Sequence, residues 1–212
     1  MRYLEKGSRP NIEYIIHKCA IFTSAPNNEH AQALRWLVRY LKGTQYKVKL
    51  FIPNTGKYLE VFVDADFPNN WDKDDSMYRY KKRYKHGYLI MYAGFHLVWK
   101  SQLQTKITLS ITESEYTGLS YVLREVVLIM QPLKNLMRAG YPIECTMSNF
   151  TCKVFEENSA SLNMATVHNH IARTKHLNVK IHHLRDYVTR GEVIILPIGI
   201  LYQASNRPTK AH

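Results

Sequence analysis

Apolar positions near the start of the chain recur with helical spacing. In "SRPNIEYIIHKCAIF", Ile12, Ile15, Ile16 and Cys19 fall on one face and Pro10 stands just behind the capping-type Ser8, which predicts a first amphipathic helix. After "TSAPNN", the stretch "EHAQALRWLVRYLKGT" carries Leu34, Leu37, Val38 and Leu41 as a second stripe, with Gly43 where a C-cap glycine belongs. Residues 1–45 are therefore expected to form a helical hairpin.

The period then shortens to two. "YKVKLFIP", the turn "NTGK" and "YLEVFVDAD" alternate around a Gly-containing turn and read as a β-hairpin. A polar, aromatic and basic loop over 68–85 follows, then two further strands in "GYLIMYAG" and "FHLVWKS", while "TKITLS" reads as a short strand or a lead into the next element. From Thr112 to about Arg138 the pattern is helical, stopping at Gly140 and Pro142. The remainder predicts a strand in "TCKVF", a short helix in "NSASLNMA", a longer helix in "RTKHLNVKIHHLRDYVTRG", a strand in "EVIILPI" and a polar C-terminal segment. From residue 46 on, this order suits an α/β fold, a mixed sheet flanked by helices.

Composition narrows the class. With 212 residues and a hydrophobic fraction of 45%, the chain can bury a sizeable core, and one domain with an appendage is expected. No stretch approaches the roughly 18 consecutive apolar residues that span a bilayer, so no membrane partner is expected. "MRYLEKGSRPNIEY" has no apolar signal-type region, and the odd set Cys19, Cys145 and Cys152 contains no C-x-x-C pair. These features fit an intracellular, reducing compartment and exclude a disulfide framework or zinc knuckle. The formal charge of +12 favours a polyanionic partner, nucleic acid first, against the plainer reading of a basic solvated surface.

Acids at element ends are the candidates for chemistry. Alternation puts Phe62 and Asp64 on one strand face and Val61 and Val63 on the other, so Asp64 is either a metal ligand or a solvated strand-end acid. Asp66 continues that face, with Pro68 close behind. Glu115, Leu119, Val122 and Val126 share one helix face, whereas Glu113 points roughly 200° away from Glu115. Thr112 and Glu115 also have capping-box spacing, so Glu115 reads equally as a cap or as a ligand. Glu156 and Glu157 read as first-turn acids favoured by a helix dipole. In a basic chain, separated carboxylates converging on one site would suit magnesium and phosphodiester chemistry, a hard cation with hard oxygen ligands.

Two basic clusters suit nucleic acid. "YRYKKRYKHGY" interleaves Tyr78, Tyr80, Tyr84 and Tyr88 with Arg79, Lys81, Lys82, Arg83 and Lys85, giving cations for phosphates and rings for stacking. His168, His170, His176, His182 and His183 lack zinc spacing and, with Arg173, Lys175, Lys180 and Arg185, read as a basic helical surface. "DKDD" at 72–75 lacks the glycine and terminal glutamate of a calcium loop and reads as solvated.

In this order, "SRPNIEYIIHKCAIF", "HAQALRWLVRYLKGT", "VFVDADF", "GYLIMYAG", "VWKSQLQTKITLSITESEY", "KVFEENSASLNMA" and "RTKHLNVKIHHLRDYV" resemble the C-terminal part of copia-type LTR retrotransposon polyproteins. The resemblance runs nearly the full length. It implies a reverse-transcriptase tail over 1–45 and an RNase H-like domain over 46–212. It further implies hydrolysis of the RNA strand of an RNA–DNA hybrid with two magnesium or manganese ions held by four carboxylates, with the reverse transcriptase of the parent element as a further partner.

Carried over by motif, the first carboxylate is Asp64 in Asp-Ala-Asp, and the second is Glu115 in Thr-Glu-x-Glu-Tyr. At the third position the family has Glu-Asp-Asn where this chain has Glu156, Glu157 and Asn158, so Glu157 replaces an aspartate and Glu156 is left as an exposed acid at a helix start. The fourth falls in "QASNRPTK", where Asn206 stands in place of an aspartate behind a two-residue insertion. Glutamate at 157 lengthens the arm by roughly 1.3–1.5 Å against a tolerance of about 0.5 Å, and a neutral amide at 206 ligates magnesium poorly. The expectation is an RNase H-like domain impaired in catalysis. A non-catalytic nucleic-acid-binding relic is the main alternative, with a structural protein and a DNA transposase or integrase behind it.

Overall fold

The computed structural model describes residues 2–47, 52–54, 56–66, 85–104, 110–143, 150–166 and 178–199. Its elements in chain order are α1 (Arg2–Gly7), a 3-10 turn (Pro10–Ile12), α2 (Glu13–Ile21), α3 (Asn28–Gly43), β1 (Leu59–Asp66), β2 (Lys85–Tyr92), β3 (Phe95–Leu103), α4 (Ile111–Arg138), β4 (Cys152–Glu156), α5 (Ser159–Thr166), α6 (Asn178–Thr189) and β5 (Val193–Pro197). The five strands form one mixed sheet in the order β3-β2-β1-β4-β5, flanked by helices as the sequence predicts. No described helix is long and apolar enough to cross a membrane.

The strand that carries Asp64 is central. β1 pairs antiparallel with β2, with Asp64 opposite Gly87, and parallel with β4, with Phe62 opposite Phe155. Over Leu59–Phe62 both hydrogen-bonding edges of β1 are taken, by β2 and β4, which leaves none there for the expected hairpin with residues 46–53, of which 48–51 lie outside the described residues. The tight hairpin joins β2 to β3 instead. Its two turn residues, Ala93 and Gly94, have φ of 49° and 83°, the double positive φ of a type I′ turn. Asn54 packs there through its N–H, which donates to the Ala93 carbonyl at 2.9 Å.

α4 lies across the buried face of the sheet. Leu119, Val122, Leu123 and Val126 meet Leu59, Val61 and Val63 of β1, Tyr88 and Ile90 of β2, and Val154 of β4 in the main core. Gly118 is the point of close approach, since a methyl group on it would sit 3.4 Å from Val63 Cγ1 and 3.7 Å from His86 Cβ. α5 and α6 pack beside α4.

The N-terminal helices have their own small cluster, Ile12, Ile16 and Leu37. Leu34 and Val38 stay exposed, so the stripe α3 buries is narrower than its sequence suggests. Ser8 does not cap the second helical segment; its hydroxyl donates to the Leu4 carbonyl at the end of α1. Gly43 ends α3 within the helix and Thr44 is the C-cap, at φ −120°. The unit is fastened to β3, an outer strand of the sheet. There the Glu13 carboxylate accepts from the Ser101 N–H and Trp99 Nε1 donates to the Glu5 carbonyl at 2.9 Å.

Candidate active site

Asp64 is 4% exposed near the carboxyl end of β1, beside the carboxyl end of parallel β4. In open α/β sheets such strand ends are where ligands bind. Burial alternates along β4, with Cys152, Val154 and Glu156 buried and Lys153 and Phe155 half-buried. Glu156 therefore points to the core side and is 1% exposed. This corrects the expectation of an exposed acid at a helix start.

The local chemistry explains the difference. Asn158 is the residue that caps α5, its side-chain oxygen accepting from the N–H groups of Ala160 and Ser161 at 3.0 Å each. Glu156 and Glu157 thus precede the cap, one ending a strand and one in the connection, and neither lies in a helical first turn. Glu156 Oε1 accepts from the Asn158 N–H at 3.0 Å, so one residue fixes both the helix start and the acid before it. Glu157 is half-buried, and continuing the β1–β4 register past Phe155 brings it level with Asp64.

Glu115 comes from the second turn of α4. The cap of that helix is Ser110, whose hydroxyl accepts from the Glu113 N–H at 3.1 Å. The Thr112–Glu115 capping box is therefore absent, and Glu115 is released to turn inward, 6% exposed, where its carboxylate accepts from the backbone N–H of Ala65. Glu113, whose N–H that cap holds, stays half-exposed.

Four acids, Asp64, Glu115, Glu156 and Glu157, press on one another. Burial first, then the charges of Glu156 and Asp64, push the Glu115 carboxyl up to about 10, with the Ala65 N–H partly opposing and Glu157 adding a further push. Burial likewise raises Glu156, to about 8, helped by the charges of Asp64 and Glu157 and opposed by the N–H groups of Asn158 and Glu157. One oxygen on each of Glu115, Glu156 and Glu157 is buried with no hydrogen-bond partner. Like charges crowded in low dielectric, with acceptor oxygens left over, are what a divalent cation would relieve. The donor set of hard oxygens fits magnesium or manganese. Among the described residues, no three His, Cys, Asp or Glu side chains already stand in a coordination shell.

Other site expectations fall elsewhere. Asn206 lies outside the described residues, as do Arg79, Lys81, Lys82, Arg83, Arg173 and Lys175. Lys85 opens β2 and Lys180 sits in α6, with only their backbone described.

No protein-family model matches the chain. It is 26% identical over 212 residues to the retrovirus-related Pol polyprotein from transposon TNT 1-94 of Nicotiana tabacum, covering 99% of this chain and 14% of that protein. Against the Pol polyprotein from transposon RE1 of Arabidopsis thaliana it is 28% identical over 213 residues, covering 96% of this chain and 13% of that protein. Its homologues are retrovirus-related Pol polyproteins from plant transposons. The chain spans only about a seventh of their length, 14% and 13%. Over 126 residues it is 32% identical to the secreted RxLR effector protein 161 of Plasmopara viticola, covering 59% of this chain and 82% of that protein, and over that stretch the two belong to one family. Among solved structures it is similar to LC11-RNase H1 isolated from compost, at 12% identity and a TM-score of 0.48, covering 70% of this chain and 89% of that one. The N-terminal RNase H domain of a Mycobacterium tuberculosis protein is similar at 12% identity and a TM-score of 0.40, covering 71% and 89%.

The residue that the sequence hid is Glu156. Its only signal is the alternation Cys152, Val154, Glu156, which reads as a strand face once Asn158, and not the acid pair, is taken as the start of the helix.

Proposed function

We propose that this chain is the RNase H-like part of a copia-type Pol polyprotein, drawn from its C-terminal region, and that it acts on the RNA strand of RNA–DNA hybrids. In this reading residues 1–45 are the end of the reverse-transcriptase region and 46–212 the nuclease domain. The observation that carries it is the meeting of Asp64, Glu115 and the acids that end β4 at the carboxyl ends of two parallel strands, in a chain of net charge +12.

Asp64, Glu115 and Glu157 would hold magnesium or manganese. When bound, such ions supply positive charge at a scissile phosphate and lower the pKa of a water nucleophile. The chain's own part is positioning: the Ala65 N–H orients Glu115, and the β1–β4 register, continued past its last pair Phe62–Phe155, brings Glu157 level with Asp64. Glu157 reaches too far by one methylene and Asn206 brings no charge, so the site holds its ions poorly and turnover is impaired. The second reading, a non-catalytic nucleic-acid-binding relic, draws on those same two positions.

Purified chain is compared with Glu157→Asp plus Asn206→Asp on an RNA–DNA hybrid with magnesium. The restored variant should cleave at least tenfold faster. Equal rates would show that the site is not damaged. Salt-dependent binding without cleavage by either form supports the relic, and failure of both to bind the hybrid defeats both readings.

A further inference from the structure

The strand end at β4 offers two acids, and the better prepared is the one that motif position passes over. Glu156 is 1% exposed, the last residue of β4, and lies on the core side of the sheet, close enough to Glu115 of α4 for their charges to interact. One of its oxygens is pinned by the Asn158 N–H, and Asn158 is itself held by capping α5. The other oxygen is buried without a partner, as is one oxygen of Glu115. Of the charges acting on Glu115, that of Glu156 comes first, ahead of Asp64 and Glu157.

A buried carboxylate oxygen left without a partner costs stability, and two on interacting acids persist where something else completes them. We propose that Glu156 is a cation ligand, paired with Glu115 of α4, and that this pair is the chain's principal divalent-metal site. Magnesium is commonly held by one or two carboxylates, with waters and substrate phosphates filling the other positions, so the absence of a three-residue shell among the described residues is no obstacle. Glu157, half-buried on the other side of the strand, then takes a secondary place, and its extra methylene matters less. This rests on the metal-dependent reading above.

The test is manganese titration of the full chain by calorimetry, without nucleic acid, for the unmodified protein and for Glu156→Gln, Glu115→Gln and Glu157→Gln. Glu156→Gln and Glu115→Gln should each weaken binding at least tenfold, and Glu157→Gln less than threefold. Removing one of two crowded buried acids should also raise the metal-free melting temperature of Glu156→Gln while abolishing the further rise that manganese gives the unmodified chain. That shift separates a lost ligand from a lost fold. If Glu156→Gln binds as the unmodified chain does while Glu157→Gln does not, Glu156 is not the ligand and the metal-dependent reading survives. If the unmodified chain takes up no manganese, the metal-dependent reading falls and this inference with it.

Discussion

Glu115 on α4 accepts a hydrogen bond from the backbone N–H of Ala65 on β1, the residue directly after Asp64. That one bond ties the long helix to the end of the central strand and holds two acids close in a buried setting. Burial and the neighbouring acids make the charged form of Glu115 costly to the fold.

The pH dependence of the metal-free protein follows from the sign of that cost. Both Glu115 and Glu156 have folded-state values above those of an unfolded chain, near 4.5, so the folded state binds more protons through the intervening range. Stability is therefore full below about pH 4.5 and falls as pH rises, through about 8 for Glu156 and about 10 for Glu115. Each carboxyl contributes a slope of up to about 1.4 kcal/mol per pH unit. Denaturant midpoints from pH 5 to 9 should fall on the metal-free chain, and Glu115→Gln should flatten the curve and lie above it at high pH. A midpoint that rises with pH would contradict the buried, crowded placement.

Capping of α4 makes a local prediction. Ser110, not Thr112, accepts from the helix N-terminus, so Ser110→Ala should cost about 1 kcal/mol and Thr112→Ala a few tenths. Urea denaturation of the two variants separates them, and a larger loss at Thr112 would restore the capping-box role to Glu115.

Much of this architecture is visible in one dimension. The helical spacing of Glu115, Leu119, Val122 and Val126 places Glu115 on the buried face, and period-two alternation puts Asp64 opposite the core-facing Val61 and Val63. These are local regularities, and the structure repeats them. What local pattern cannot supply is choice of partner. "NTGK" has turn chemistry, yet over Leu59–Phe62 β1 gives both edges to strands distant in sequence. Ser110 and Thr112 are both able caps two positions apart, and only the fold decides between them. Glu156 reads as helix or strand according to a cap two residues later.

The β2–β3 turn tests the hairpin that does form. Gly94 at φ 83° has a conformation that side chains resist, and a methyl group there would also sit 3.4 Å from Asn54 Cβ. Gly94→Ala should cost about 1 kcal/mol. Ala93, at φ 49°, already bears such strain, so Ala93→Gly should recover part of it despite the entropy of an added glycine. Thermal melts of the two variants should move in opposite directions.

Gly118 links packing to the site most directly. It lies one helical turn beyond Glu115 on the same buried side of α4, and it sets how near the helix comes to Val63 and His86. A single methyl group meets ordinary contact distances there, and alanine improves helix propensity by about 1 kcal/mol, so Gly118→Ala should leave stability equal or raised. Branched or longer side chains have no such room. Gly118→Val should overpack the seam at a cost of about 1–3 kcal/mol and lift the helix from β1. Because the Glu115 bond to Ala65 spans that seam, hydrogen exchange at the Ala65 amide should quicken in Gly118→Val and not in Gly118→Ala. Unchanged Ala65 protection in a destabilised valine variant would mean that Glu115 is positioned by something other than the approach of α4.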